Sequence, residues 1–187
     1  MSVSMIVVLA AVVLILGYGV SLYNTLIRLK NQTENAWSQI DVQLKRRHDL
    51  IPNLVEVTKD AMDFEQETLT NVIEARNKAI NASGQSREET INLEGQLTQA
   101  LGRLLAVVED YPDLRSNTNI SELTEELTGT ENRISFARQH YNDSATTLNT
   151  KVELFPSNLI ASLFNFTKAV YFEVAEPEKQ AIKVDLQ

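Results

Sequence analysis

Residues 3–27 carry no side chain that is charged at neutral pH, and residues 5–22 are almost entirely Val, Ile, Leu, Ala and Gly. A helix that crosses the hydrocarbon core of a bilayer needs about 20 such residues, because lipid offers nothing to bond the backbone. A cleaved signal peptide would show a charged leading region and a small-x-small cleavage site. Here Met1–Ser4 is uncharged, and Tyr18-Gly-Val-Ser-Leu-Tyr23 follows without that site. The segment therefore reads as a retained single-pass anchor, with the lipid bilayer as the partner of residues 3–27 and with Tyr18 and Tyr23 near the interface. Arg28 and Lys30 follow the span closely and no basic residue precedes it. Positive flanks stay on the cytoplasmic side. The expected topology is a short N-terminus outside and the following domain in the cytoplasm.

Beyond the anchor, helical periodicity continues. From residue 21 to about residue 80 there is no glycine and a single proline, Pro52. Apolar or seam residues fall at Leu22, Leu26, Leu29, Thr33, Trp37, Ile40, Leu44, Ile51, Leu54, Thr58, Met62, Leu69, Val72, Arg76 and Ile80, mostly three and four apart. That spacing predicts one long helix packed along one seam. Pro52 lacks a backbone donor and crowds the preceding turn, so it predicts a kink. The alternative is a break, with Asp49 capping a new helix.

Asn81–Ser86 reads as a turn, and Ser86 with Glu89 as a capping box for a second helix ending before Tyr111-Pro112. Gly95 and Gly102, seven apart on it, either weaken the helix or mark close approach of a neighbour, and close packing is the reading favoured. Asn119 with Glu122 predicts the start of a third long helix carrying Leu123, Leu127, Ile134, Ala137, Tyr141, Ala145, Leu148, Val152 and Phe155, ended by Pro156. A short helix from Ser157 follows. The run Leu159-Ile160, Leu163-Phe164, Phe166 and Val170-Tyr171-Phe172 is too apolar for water. The reading favoured is core packing over the end of the bundle, and the alternative is an element dipping into the bilayer surface. The fold class expected is all-α: an N-terminal transmembrane helix leading into an antiparallel bundle of three long helices plus a short C-terminal helix. The expected division is an anchor at 1–27, a bundle domain at 28–174 and a polar tail at 175–187.

At about 1.5 Å per residue the first helix beyond the membrane would run about 80 Å, the second about 36 Å and the third about 55 Å. The first would outrun its partners and leave Trp37 and Ile40 in water. Either Pro52 folds it back or copies pack together, and the second option predicts a homo-oligomer.

Composition narrows the chemistry. There is no cysteine, which excludes thiol catalysis, a Cys-based zinc site and disulfides. Residues 28–59 hold six Lys/Arg against four acids, whereas the remainder holds eleven against twenty-one. So acidic a surface repels phosphate backbones, and no nucleic-acid partner is expected. Carboxylate-bridged metals in bundles use Glu-x-x-His pairs. Lys45 stands three before His48, and Ala137 three before His140, so neither histidine has one. Phosphate-loop, dinucleotide and nucleophile-elbow motifs are missing. No cofactor, metal or catalytic residue is expected.

One feature resists a bland reading. After Leu44 the seam falls on Arg47 or His48, inside Lys45-Arg46-Arg47-His48. A charge facing a core must be paired. Candidate partners are Glu131 and Asp113. The structural reading is an interhelical ion pair that fixes register. The functional reading is a site for an anionic ligand, lipid headgroup or partner beside Arg46 and Arg47. The candidate interaction or register residues are Trp37, Arg46, Arg47, Asp49, Pro52, Asp113, Glu131 and Arg133.

The runs YNTLIRLKNQTENAWSQIDVQLKRRHDLIPNLVE (23–56), LGRLLAVVEDYPDLRSN (101–117), TENRISFARQHYND (130–143), FPSNLIASLFNF (155–166) and YFE (171–173) stand in the order of, and resemble, the LemA family. At 59–65, KDAMDFE departs from the glycine and His-Glu pair more usual there. The resemblance implies a membrane-anchored helical bundle in bacteria, without established catalysis. The function expected is a non-enzymatic, membrane-tethered scaffold or adaptor acting through helix surfaces and self-association, with an unknown protein partner. The rivals are a sensor of an anionic ligand near Arg46/Arg47 and an enzyme of unrecognised type.

Overall fold

Periodicity of three and four residues becomes helix almost everywhere in the computed structural model, which describes residues 3–59, 66–82, 84 and 86–172. The helices are α1 (Val3–Lys59), α2 (Gln66–Ala82), α3 (Arg87–Asp110), α4 (Pro112–Arg115), α5 (Thr118–Glu153) and α6 (Ser157–Leu163). Among the described residues there is no strand, so the fold is all-α. The expected tail, 175–187, and most of the departing stretch at 59–65 lie outside the described residues. The chain forms two compact units, and α1 and α5 each contribute to both.

The first unit takes residues up to 39 and 137–171. Leu22, Leu26, Thr33, Ala36 and Trp37 of α1 are buried there, as are Tyr141, Ala145 and Leu148 of α5. The ring of Trp37 meets that of Tyr141 edge-on, with centroids 5.1 Å apart. Residues 169–170 are tied to α5 by three hydrogen bonds. Tyr141 donates its hydroxyl to the Val170 carbonyl at 2.6 Å. Asn149 donates to the Ala169 carbonyl at 2.9 Å and accepts from the Ala169 amide at 2.7 Å. The early part of α1 is different: from Val3 to Val20 its large apolar side chains are exposed. It is long and apolar enough to cross a membrane, and none of that window is buried by protein.

Helix α5 stops at Glu153, just before Phe155 and Pro156, which are joined by a cis peptide bond. Helix α6 closes on Asn165, which takes the left-handed conformation with φ 55°. The amide of Phe166 then donates back to the Ala161 carbonyl at 2.9 Å, and that of Asn165 to Ser162 at 3.3 Å. This is a helix-ending motif in which asparagine stands in for glycine. The apolar run after Pro156 meets the favoured reading only in part: Phe172 is buried and Ile160 and Phe166 are half-buried. Only Ser157 and Ala161 of α6 are buried, while Leu159, Leu163 and Phe164 face outward. Seven residues give two turns, so one side alone can reach α1, and the other is left open.

The second unit holds the larger core. Ile51 and Leu54 of α1, Leu69, Val72 and Ala79 of α2, Leu97, Leu101, Leu104 and Val108 of α3, Leu114 of α4, and Ile120 and Leu127 of α5 form one cluster. Each fully buried leucine or isoleucine contributes roughly 1.5–3 kcal/mol. The glycine-free run is two helices here, not one. Arg76 Nε donates to the His48 carbonyl at 2.7 Å, across 28 residues of sequence. A continuous helix would hold them about 42 Å apart, so the chain must turn back between them.

Pro52 does not break α1, which continues through it to Lys59, so the capping role considered for Asp49 is not realised. Other local expectations divide between those that hold and those that change. Ser86 caps α3, its hydroxyl accepting from the Glu89 amide at 3.2 Å. The cap of α5 is Asn117 rather than Asn119: its side-chain oxygen accepts from the Asn119 amide at 3.0 Å. Gly95 and Gly102 have open space beside them and mark no close approach. Trp37 and Ile40 are both buried within a single chain. A second copy is therefore not needed to shelter them.

Candidate functional site

The seam of α1 in the second unit runs Ile40, Leu44, Arg47, Ile51, Leu54, Thr58, with alternating steps of four and three. Helical geometry makes Arg47 a core position whatever its chemistry. Its side chain is 0% exposed. Taking a guanidinium out of water costs several kcal/mol unless carboxylates and further bonds surround it. The neighbouring helices supply them.

From α3, Glu94 forms an ion pair with Arg47 through Nη2 and is itself 1% exposed. From α5, Glu131 accepts from Nη1 at 2.7 Å and is 29% exposed. The Thr98 hydroxyl, one turn beyond Glu94, accepts from the same Nη1 at 3.0 Å. The next residue of α1, His48, sets its Nε2 2.9 Å from the second oxygen of Glu94. One carboxylate thus joins two successive residues of α1. From α2, Arg76 reaches the same turn by its bond to the His48 carbonyl.

That carbonyl is the one Pro52 leaves without its helical donor. In an α-helix the amide of residue 52 would donate to the carbonyl of residue 48, and proline has no amide proton. The guanidinium of Arg76 takes its place. Pro52 and Arg76 are therefore two halves of one device, and α2 is held against α1 where the helix would otherwise be weakest.

Burial pushes the Glu94 carboxyl up, but the His48 contact and then the Arg47 charge outweigh it, so it titrates below the ordinary glutamate range. The arrangement holds a fixed carboxylate between the Arg47 guanidinium and the His48 imidazole. Among the described residues no cluster of three or more His, Cys, Asp or Glu could hold a metal.

The other candidate residues divide. Arg46 points away from the layer and pairs with Glu126 at 2.5 Å, both nearly half exposed. Pro52 sits beside the layer as described. Trp37 belongs to the first unit, against Tyr141. Asp49 and Arg133 are exposed on α1 and α5, and among the described contacts neither joins the layer. Asp113 lies in α4, and its side chain is outside the described residues. The partner that reading by apolar residues misses is Glu94. Counting back from Leu97 by the step of three that the seam requires lands on it, and then by four on Thr90, which is also buried. The signal is an acid on a core step of α3, matching a base on a core step of α1.

Comparison with known proteins follows the same lines. The profile of the LemA family matches residues 36–186. Magnetosome protein MamQ 2 of Paramagnetospirillum magneticum is 27% identical, over 81% of this chain and 64% of its own length. Protein LemA of Metamycoplasma hominis is 28% identical, over 83% of this chain and 71% of its own. Magnetosome protein MamQ of Magnetospirillum gryphiswaldense is 24% identical, over 80% and 64%. This chain therefore spans about 64% of the length of the MamQ relatives it matches.

Proposed function

The chain belongs to the LemA family of membrane-associated proteins, and from that premise we propose that it is a membrane-tethered, non-enzymatic scaffold or adaptor that works through helix surfaces. The observation that carries this reading is the burial of the charged layer around Arg47 and Glu94. Both terminal nitrogens of Arg47 are spent on Glu94, Glu131 and Thr98, and Arg47 and Glu94 are 0% and 1% exposed; Arg47 Nε is buried without a hydrogen-bond partner. A site for an anionic substrate or headgroup keeps a cation open to it, and the Arg47 guanidinium is closed off inside the chain. The network instead suits a register device: it is satisfied only when α1, α3 and α5 sit at one axial alignment.

The same reading takes residues 1–27 as the anchor, 28–174 as the bundle domain and 175–187 as a polar tail. The positive flank at Arg28 and Lys30 supports a cytoplasmic bundle. Association with copies of itself remains part of the proposal. A docking copy uses surfaces other than Trp37 and Ile40, which one chain already buries.

The test is cross-linking of the full chain in native membranes, followed by identification of what co-purifies. Defined adducts, with a second copy or a partner protein, are expected. A chain recovered only as an un-cross-linked monomer refutes the scaffold reading.

A further inference from the structure

We propose that the outer face of α6 and the residues flanking it lie in the interfacial layer of the bilayer, giving the chain a second membrane contact beside its anchor. The candidate face is Leu154, Phe155, Leu159, Leu163 and Phe164, exposed by 52–78%. Residues 154–167 carry no charged side chain. Leu159 and Leu163 are four apart and share one side of α6, while Ser157 and Ala161, also four apart, are buried on the other. The element is apolar on the side that its own unit leaves uncovered, which in a water-soluble chain is a large unsatisfied surface.

Its place in the fold selects the occupant. The Ile160 side chain comes within 3.9 Å of the position a Cβ on Gly19 would take. The ring of Tyr23 lies 4.7 Å from that of Phe164 and 5.9 Å from that of Phe166. Gly19 belongs to the uncharged N-terminal segment and Tyr23 stands at its end. Helix α6 is therefore docked on the last turns of the apolar span. A bilayer that surrounds residues 3–20 reaches the level of α6, and its surface continues the exposed surface of α1. On the polar side, Glu153 and Lys168 bracket the uncharged run and pair with each other, so the charges stay together at its rim.

Two requirements of a free-standing membrane-surface helix do not apply. Such a helix needs a basic face to be drawn to lipid and enough length to bind alone. Helix α6 needs neither, because α1 delivers it to the interface and makes its insertion an intramolecular step. Phenylalanines, with the Tyr23 ring among them, take the interfacial place that tryptophan often fills.

The chain has no cysteine, so single nitroxide labels report one site each. The full chain would carry Leu159→Cys or Leu163→Cys, with Leu14→Cys in the span and Gln139→Cys on the exposed face of α5 as references. It would be reconstituted in vesicles of phosphatidylcholine with phosphatidylglycerol, and the accessibility of each label to oxygen and to a water-soluble nickel chelate compared. Labels at 159 and 163 are expected to favour oxygen, at a depth shallower than 14, while 139 favours nickel. Nickel access at 159 and 163 equal to that at 139 overturns the proposal. Shielding from both reagents with spin–spin broadening also overturns it, since a second copy then covers the face. If position 14 also reads as aqueous, the anchor itself fails and this inference fails with it. A lipid reading at 14 with an aqueous one at 159 and 163 sinks the inference alone.

Discussion

Pro52 and Arg76 offer the sharpest perturbation, because two residues 24 apart in sequence are tied to one carbonyl oxygen. In the native chain the His48 carbonyl has no amide from residue 52 and receives Arg76 Nε at 2.7 Å. Replacing Arg76 with Met keeps the aliphatic packing of the stem and removes the donor. Hydrogen bonds from charged groups are worth about 1.5–3 kcal/mol, and leaving a partly buried carbonyl without a partner costs in the same range. Arg76→Met should therefore destabilise by about 2 kcal/mol, a fall in Tm of about 4–8 °C for a chain of this size. Pro52→Ala restores a helical amide to that carbonyl. In the Pro52→Ala background the same Arg76→Met change should cost at least about 1 kcal/mol less, a coupling beyond the few tenths expected of independent sites. Thermal and urea unfolding of the full chain in one detergent, followed by helical circular dichroism, gives all four corners of the cycle. If Arg76→Met costs the same in the parent chain and in the Pro52→Ala background, the exchange of donors is wrong, and Arg76 acts only through packing or its charge.

Two further outcomes follow from local chemistry. Glu94 titrates below its ordinary range because His48 and Arg47 favour the carboxylate over the opposing effect of burial. A carboxylate so depressed stabilises the fold above its unfolded pKa and loses that contribution as pH falls through the folded value. Urea midpoints should therefore drop from about pH 4.5 downward, and less steeply in Glu94→Gln; parallel pH profiles would count against the assignment. At the end of α6, Asn165 holds φ 55°, so Asn165→Ala should cost about 1 kcal/mol and Asn165→Gly close to nothing. Equal losses in the two variants, read by thermal unfolding, would show that the backbone there is not what the asparagine serves.

The stripe of α1 from Thr33 to Thr58 is legible in the sequence because its core positions are mostly apolar and its steps alternate regularly between four and three. Arg47 is found by continuing that count across a charge. On α3, apolar residues alone suggest a seam starting at Ile91. Thr90 and Glu94 are the buried positions instead, and the acid that pairs with Arg47 is hidden by its own polarity. The reversal between α1 and α2 is not legible, since the run to residue 80 has no glycine and its one proline lies inside a continuing helix. A turn is marked locally by Gly and Pro, whereas this one shows only through a long-range bond from Arg76. The outward face of α6 escapes for a different reason. Apolar composition says that a segment avoids water, and does not say whether protein or lipid supplies the shelter.

Arg47 and Glu94 form a buried pair whose value is mutual, and the reading of their layer as a register device depends on that. The measurement that reaches it most directly is a double-mutant cycle on the full chain, Arg47→Met, Glu94→Leu and both together, by urea unfolding at neutral pH. Each single change strands a buried charge and should cost about 3–5 kcal/mol, while the double variant, which removes the pair but keeps His48 and Glu131, should cost at least about 2 kcal/mol less than the two singles added. A double variant as unstable as the sum of the singles would contradict the pairing, and with it the role of this layer in setting register.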